Sequence, residues 1–155
     1  MTYELTINGR SYEVDVPAFY PLAVVLREEL GLIGTKVGCF EGRCGSCAVM
    51  VDGLTVVSCI YPVGLADGAQ VRTVEGLAGE NGSLSPLQEA LLDAGGVQCG
   101  ICTPGILMTL TSLVEHNPVL REGEIREALA GNICRCTGYQ KIVQAVLAVT
   151  GRPPE

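Results

Sequence analysis

The sequence predicts an α+β protein in two parts: a mixed sheet with one helix over residues 1–76, and a four-helix bundle over residues 84–155, with a linker at 77–83. Three observations carry this. Apolar residues alternate with polar ones on either side of Asn8-Gly9 and Asp52-Gly53, dipeptides that favour two-residue hairpin turns. Beyond residue 83 the apolar spacing changes from two to three and four, the helical period. The eight cysteines fall into two groups of four, one in each part.

Taken in order, Leu5 and Ile7, then Tyr12, Val14 and Val16, form the arms of a hairpin over residues 3–16, which Pro17 ends. Pro21 suits a first helical turn. Leu22, Val25, Leu26 and Leu30 follow at helical spacing, and Gly31 can close the helix in a left-handed conformation. Ala48 to Val57 reads as a second hairpin and Gln70 to Val74 as a last strand. Hairpin, helix, hairpin and strand on a mixed sheet is the order of a β-grasp ferredoxin. In the second part Ser85 with Gln88, and Thr137 with Gln140, have the spacing of capping boxes, and Pro86 sits at a first helical position. Helices are expected from Ser85 to Gly95, from Thr103 to Glu115, over residues 122–130 and from Thr137 to Val149, with a frayed tail at Arg152–Glu155.

Cys39, Cys44, Cys47 and Cys59 carry the sharpest chemical signal. Cys-x4-Cys-x2-Cys followed by a fourth Cys is the plant-type spacing for a 2Fe–2S cluster. Gly38, Gly42 and Gly45 between the ligands let the backbone curl and turn its N–H groups toward an anionic centre. A disulfide framework fits poorly, because the chain is larger than scaffolds that need one and no secretory signal precedes it. A Rieske centre requires two His ligands, and His116 stands alone. The second group, Cys99, Cys102, Cys134 and Cys136, comprises two pairs that each precede a helix start, where backbone N–H groups favour thiolates. Its spacing leaves both a second iron–sulfur cluster and a structural zinc ion open, the cluster being favoured by the redox loop in the same chain.

The 155 residues are 48% hydrophobic, enough for a buried core, and carry a formal charge of −7. That charge disfavours nucleic acid and anionic membranes as partners, since both select a basic face. The N-terminus has neither a basic region followed by an apolar one nor twin arginines, and no apolar run is long enough to cross a bilayer. Eight ligand-type cysteines fit a reducing compartment, so a cytoplasmic protein is expected. No nucleophile–base pair, phosphate loop or dinucleotide fingerprint is present, and no catalytic site is expected in this chain alone. Arg135 reads equally as a surface group or as one that offsets cluster charge or pairs with a partner subunit. His116 reads as a surface or capping group, Glu41 and Arg43 as solvated charges with a docking rim as the alternative, Met50 and Met108 as core, and Tyr139 as a core anchor or a lid on the helical site.

Three stretches together, Val37–Cys47, Gln98–Gly105 and Gly131–Tyr139, resemble the small iron–sulfur subunit of the molybdenum hydroxylases, the family of xanthine oxidase, carbon monoxide dehydrogenase and aldehyde oxidoreductase. The resemblance covers residues 2–149. Phe40 departs from the small or polar residue frequent in that family. The resemblance implies two 2Fe–2S clusters, the helical one lying beside the molybdopterin of a large catalytic subunit and the β-grasp one lying toward the next acceptor. It implies that Gln98 hydrogen-bonds the pterin, and that Cys136 both ligates iron and touches the pterin amino group. By residue type alone, Gln98 is a loop amide near a cluster.

The expected role is an electron relay. Electrons would pass from the large subunit to the Cys99/Cys102/Cys134/Cys136 site, then to the Cys39/Cys44/Cys47/Cys59 site, then to an FAD-binding subunit or another acceptor. A buried helical cluster and a partly exposed β-grasp cluster would give the relay its direction. The alternatives are a free-standing two-cluster ferredoxin, a ferredoxin fused to a zinc-stabilised helical module, and a redox sensor, the last lacking any basic surface for DNA.

Overall fold

The computed structural model describes residues 1–79 and 81–151. Glu80 in the expected linker and the expected tail at residues 152–155 lie outside these. Five strands, β1 (Thr2–Ile7), β2 (Arg10–Asp15), β3 (Ala48–Val51), β4 (Leu54–Val57) and β5 (Gln70–Arg72), form one sheet in the order β2-β1-β5-β3-β4. β1 and β5 run parallel and the other neighbours antiparallel, so the sheet is mixed as expected. Both hairpins turn where the sequence puts them. Asn8-Gly9 and Asp52-Gly53 adopt φ of 50°, 79°, 48° and 82°, the left-handed pair that matches strand twist.

β5 stops two residues short of the expected Val74. The Asn8 side chain explains this, since its Oδ1 accepts the Thr73 N–H (2.9 Å) and its Nδ2 donates to Thr73 Oγ1 (2.9 Å). A side chain thus replaces the next rung of the ladder, and the chain coils into a short 3-10 turn at Val74–Leu77.

The first helix, α1, also differs from the simple amphipathic helix expected. One α-turn (Leu22–Val24) passes into a π-turn (Val25–Glu29), with the Leu30 N–H donating to Val25 O five residues back at 3.1 Å. Leu22, Val25 and Leu26 are fully buried, as their i, i+3, i+4 spacing predicts, whereas Leu30, beyond the wider turn, is only half-buried. Gly31 closes the helix at φ 67°.

The second part holds α2 (Pro86–Asp93), α3 (Thr103–His116), α4 (Glu122–Ala128, running on into a 3-10 turn at Leu129–Gly131) and α5 (Gln140–Val149). Ser85 and Gln88 form the expected capping box. Thr137 and Gln140 do not: Tyr139, at φ 67°, is the residue before α5, and Gln140 Oε1 instead accepts from the Arg126 guanidinium at 2.6 Å. α2 packs on α5, α4 packs on α3 and α5, and α3 lies across the sheet.

β3 joins the two parts. All four of its residues are buried. Val49 and Val51 face a core with Leu5, Ile7, Leu22, Val25 and Leu26, while Ala48 and Met50 face a second core with Met108, Leu110, Ile125, Ile142 and Val146. A strand covered on both faces reads as continuous apolar sequence, as Ala48-Val49-Met50-Val51 does. The Arg72–Glu115 ion pair (2.6 Å) also spans the parts, but both side chains are more than a third exposed. Such a pair contributes at most about 1 kcal/mol, so packing on β3 dominates the junction.

Candidate iron–sulfur sites

The first cysteine group is built from a coiled loop and the second hairpin. Cys39 and Cys44 lie on the loop, Cys47 at its end beside β3, and Cys59 just beyond β4. Cys47 and Cys59 are 1% and 2% exposed, while Cys39 and Cys44 are half-buried. The N–H groups of Glu41, Arg43 and Cys44 each donate to Cys39 Sγ at 3.4 Å. This is the inward-pointing set of donors expected of the loop, and it holds the Cys39 thiol down at about 6. Burial, reinforced by a hydrogen bond with Cys47, pushes Cys59 up to about 11. Gly42 (φ 73°) and Gly45 (φ 69°) make the left-handed turns of this loop. Phe40 does so too, at φ 60°, as a non-glycine residue with its ring about half exposed.

The second group lies on two facing turns. Cys102 is the residue before α3, and Cys134 and Cys136 precede α5. Cys136 Sγ lies 3.6 Å from Cys99 Sγ, and Gln98 Nε2 donates to Cys136 O at 3.2 Å, tying the turns together. Burial pushes the Cys102 thiol up to about 12, with a hydrogen bond to Cys134 adding to it. Burial also acts upward on Cys134, but the Thr137 hydroxyl and N–H together with Cys102 outweigh it, and the thiol is lowered. The Cys99 thiol raises Cys136.

Within each group the sulfurs associate in twos: Cys39 with Cys44, Cys47 with Cys59, Cys99 with Cys136, and Cys102 with Cys134. All eight cysteines are free. Among the described residues, no three Cys, His, Asp or Glu side chains converge as a group able to hold one metal ion. A 2Fe–2S rhomb takes two thiolates on each iron, a demand that sulfurs lying in twos can meet. The donor set therefore fits a di-iron cluster in each place.

The exposure order departs from the expectation. Cys99 and Cys136 are exposed and Cys47 and Cys59 buried, so on this chain alone the helical site is the more open one. Gln98 and Arg135 are exposed beside it. Glu41 and Arg43 pair at 3.7 Å in solvent, as surface charges do. His116 Nδ1 contacts Ser112 O at 2.7 Å, closing the last turn of α3.

The two sites meet at a junction that sequence reasoning does not anticipate, made by Asn132, Ile133 and Gly105 together with Tyr139, the expected core anchor or lid. Asn132, 3% exposed, donates through Nδ2 to Gly45 O at 3.1 Å. The Ile133 N–H donates to Cys44 O at 2.9 Å. Tyr139 Oη accepts the Cys134 N–H (2.7 Å) and donates to Asn132 O (2.8 Å). Gly105 on α3 lies against the Gly45-Ser46 backbone. The only sequence signal for this junction is an Asn between Gly131 and Ile133, too polar to be buried without a partner.

Two interlocked cysteine sites on a mixed sheet and a helical half define a two-centre iron–sulfur protein. Comparison with known proteins makes this specific. Residues 5–78 match a 2Fe-2S iron-sulfur cluster binding domain, and residues 73–147 match a [2Fe-2S] binding domain. The chain is 48% identical over 149 residues to the nicotine 6-hydroxylase small subunit of Paenarthrobacter nicotinovorans, covering 96% of this chain and 89% of the relative. It is 46% identical over 149 residues to the xanthine dehydrogenase iron-sulfur-binding subunit of Escherichia coli O157:H7, covering 95% of this chain and 92% of the relative. Quinoline 2-oxidoreductase from Pseudomonas putida 86 superposes with a TM-score of 0.92 at 42% identity, over 97% of this chain and 94% of that one. The chain belongs to the family of small iron–sulfur subunits of the molybdenum hydroxylases. Among the described residues no helix is long and apolar enough to cross a membrane.

Proposed function

We propose that this chain is the electron-transfer subunit of a multi-subunit molybdenum hydroxylase or dehydrogenase, with a β-grasp domain at 1–76, a linker at 77–83 and a helical bundle domain at 84–155. Cys39, Cys44, Cys47 and Cys59 hold one 2Fe–2S cluster, and Cys99, Cys102, Cys134 and Cys136 hold the other. The association of the sulfurs in twos, the same in both sites, carries this reading. Each cluster, when bound, supplies one-electron exchange. The chain's own part is to fix the thiolates, donate N–H groups to sulfur and keep water from Cys47 and Cys59.

The open side of the helical site is the place for the large molybdopterin subunit. Exposed Cys99, Cys136, Ile101 and Ile133 surround it, and a covering partner restores the burial that the relay order requires. There Gln98 reaches the pterin of the large subunit; in the free chain its amide stays on Cys136 O. Electrons leave from the β-grasp side to an FAD-binding subunit or another acceptor. Cytoplasmic location is part of this reading, and eight free thiols support a reducing compartment.

Metal analysis and spin spectroscopy of the purified complex test the reading. Four irons per chain, two distinct 2Fe–2S signals and molybdenum in a co-purifying large subunit support it. Two irons with one zinc would replace it by the zinc-stabilised module, and four irons with no partner by a free carrier. Cys47→Ser and Cys102→Ser should each remove one signal and leave the other.

A further inference from the structure

Cys99 and Cys136 differ from the other six cysteines in access. Both are exposed, whereas Cys39, Cys44 and Cys134 are half-buried and Cys47, Cys59 and Cys102 are buried. Their sulfurs already lie 3.6 Å apart. A disulfide bond is about 2 Å long, so closure asks each side for less than about 1 Å of movement. Both cysteines sit outside helices and strands, on bends that can supply it. Gly100, next to Cys99, has nothing within 4 Å of its would-be Cβ, so no packing resists a shift of that bend. The hydrogen bond from Gln98 Nε2 to Cys136 O meanwhile keeps the two bends in register.

The rival pairs are held differently. Cys39 Sγ accepts the N–H groups of Glu41, Arg43 and Cys44, which fix it on the inside of its loop. Cys102 stands at the start of α3 and is 6% exposed. Its neighbour Cys134 is tethered by Tyr139 Oη and Thr137 Oγ1. Cys47 and Cys59 are closed to a dissolved reagent. Cys99 and Cys136 are therefore the pair that is both close enough to join and open to attack.

We propose that Cys99 and Cys136 form a reversible redox gate on the helical site. In the iron-free chain, a small dissolved disulfide of the glutathione class joins them. One cysteine thiolate attacks a sulfur of the reagent, forming a mixed disulfide and releasing one reagent thiol. The other cysteine attacks the protein-side sulfur of that bond and releases the second reagent thiol. The two cysteines lose two electrons and two protons, and the reagent is reduced to two thiols. The new S–S bond withdraws both sulfurs from iron, so the helical site stays shut until a thiol reductant reverses the exchange. The β-grasp site keeps its four thiols and stays open. The effect on iron rests on the cluster assignment proposed above; the bond between the two cysteines does not.

The test uses the full-length chain, freed of iron by a chelator under reducing conditions and then given oxidised glutathione without air. Thiol titration, intact mass and peptide mapping should show six of the eight thiols left, a loss of two hydrogens and a Cys99–Cys136 link. The treated chain should load two irons instead of four and lack the helical spin signal, and dithiothreitol should restore both. Cys136→Ser should stop at a glutathione adduct on Cys99; an internal disulfide from Cys99 to another cysteine would count against the gate. In urea, where the bends come apart, the preference for this pair should vanish.

A first disulfide at any other pair in the folded chain, or retention of all eight thiols, overturns the gate. Full iron loading of a chain already linked at Cys99–Cys136 overturns it as well. Fewer than four irons in the reduced wild type would instead overturn the cluster assignment, and the mapped link would still decide whether the two cysteines join.

Discussion

Gly45→Ala tests how the two halves are locked. Gly45 has φ 69°, and a Cβ there would run into the Gly131 carbonyl oxygen, with Asn132 Nδ2 at 2.7 Å and Asn132 Cα at 3.1 Å. Two effects separate. The left-handed backbone alone costs an alanine about 1–2 kcal/mol. The clash is additional, because its neighbours are mostly backbone and cannot swing away. It forces the loop off the Gly131–Ile133 segment and opens the Asn132–Gly45 hydrogen bond, whose buried partners then go unsatisfied at about 1–3 kcal/mol. Overpacking adds a further ~1–3 kcal/mol. Gly53→Ala is the matched control, since Gly53 has φ 82° and nothing within 4 Å of its would-be Cβ. Anaerobic denaturant unfolding of both iron-loaded variants measures the difference. Gly45→Ala should lose about 2–6 kcal/mol more than Gly53→Ala and should load less iron. Equal loss in the two would mean that the halves do not meet at Gly45, and the account of the junction would fail.

Three further outcomes follow from the sites. Thr137 Oγ1 accepts the Tyr139 N–H at 3.3 Å, which leaves its own proton for Cys134 Sγ at 3.0 Å. Thr137→Val should lower the potential of the helical site by tens of millivolts, because a hydrogen bond to sulfur stabilises the reduced state; the β-grasp potential, read in the same titration, should not move. Gln98→Leu should keep four irons but loosen the large subunit, seen as dissociation of the complex on dilution. Ligation needs thiolates, and burial holds Cys59 at about 11 and Cys102 at about 12, so both keep their protons through the neutral range. The thiolate fraction of each grows as pH rises toward its pKa, so iron loading of the metal-free chain should speed up from about pH 6.5 to about pH 8.5; loading that slows over that interval would contradict the assignment.

Most of the architecture was legible because its signals are local. Asn8-Gly9 and Asp52-Gly53 specify their turns by backbone preference, and Ser85 with Gln88 specifies a helix start. Cysteine spacing is a local signal of the same kind, and it divides the eight thiols into the two groups of the proposed sites. What escaped notice depends on partners far along the chain. Thr137 has the spacing of a cap, but Cys134 Sγ and the Tyr139 N–H claim its hydroxyl, and Gln140 turns to Arg126. Leu22, Val25 and Leu26 in α1 are buried as helical spacing predicts, and only the half-buried Leu30, beyond the π-turn, leaves that stripe. Asn132 looked like a motif residue without a task until Gly45, 87 positions earlier, supplied its acceptor. The exposure of Cys99 and Cys136 could not be read from spacing either, since it depends on which neighbours α3 and α5 bring along.

β3 is a party wall. Each half of the molecule leans on the opposite side of the same four residues, so neither can be lifted out with its interior intact. Splitting the gene between the halves would leave Ala48 and Met50 bare on one fragment and their former neighbours bare on the other. The spacing of the two redox centres is therefore built into the masonry and is not set by a hinge.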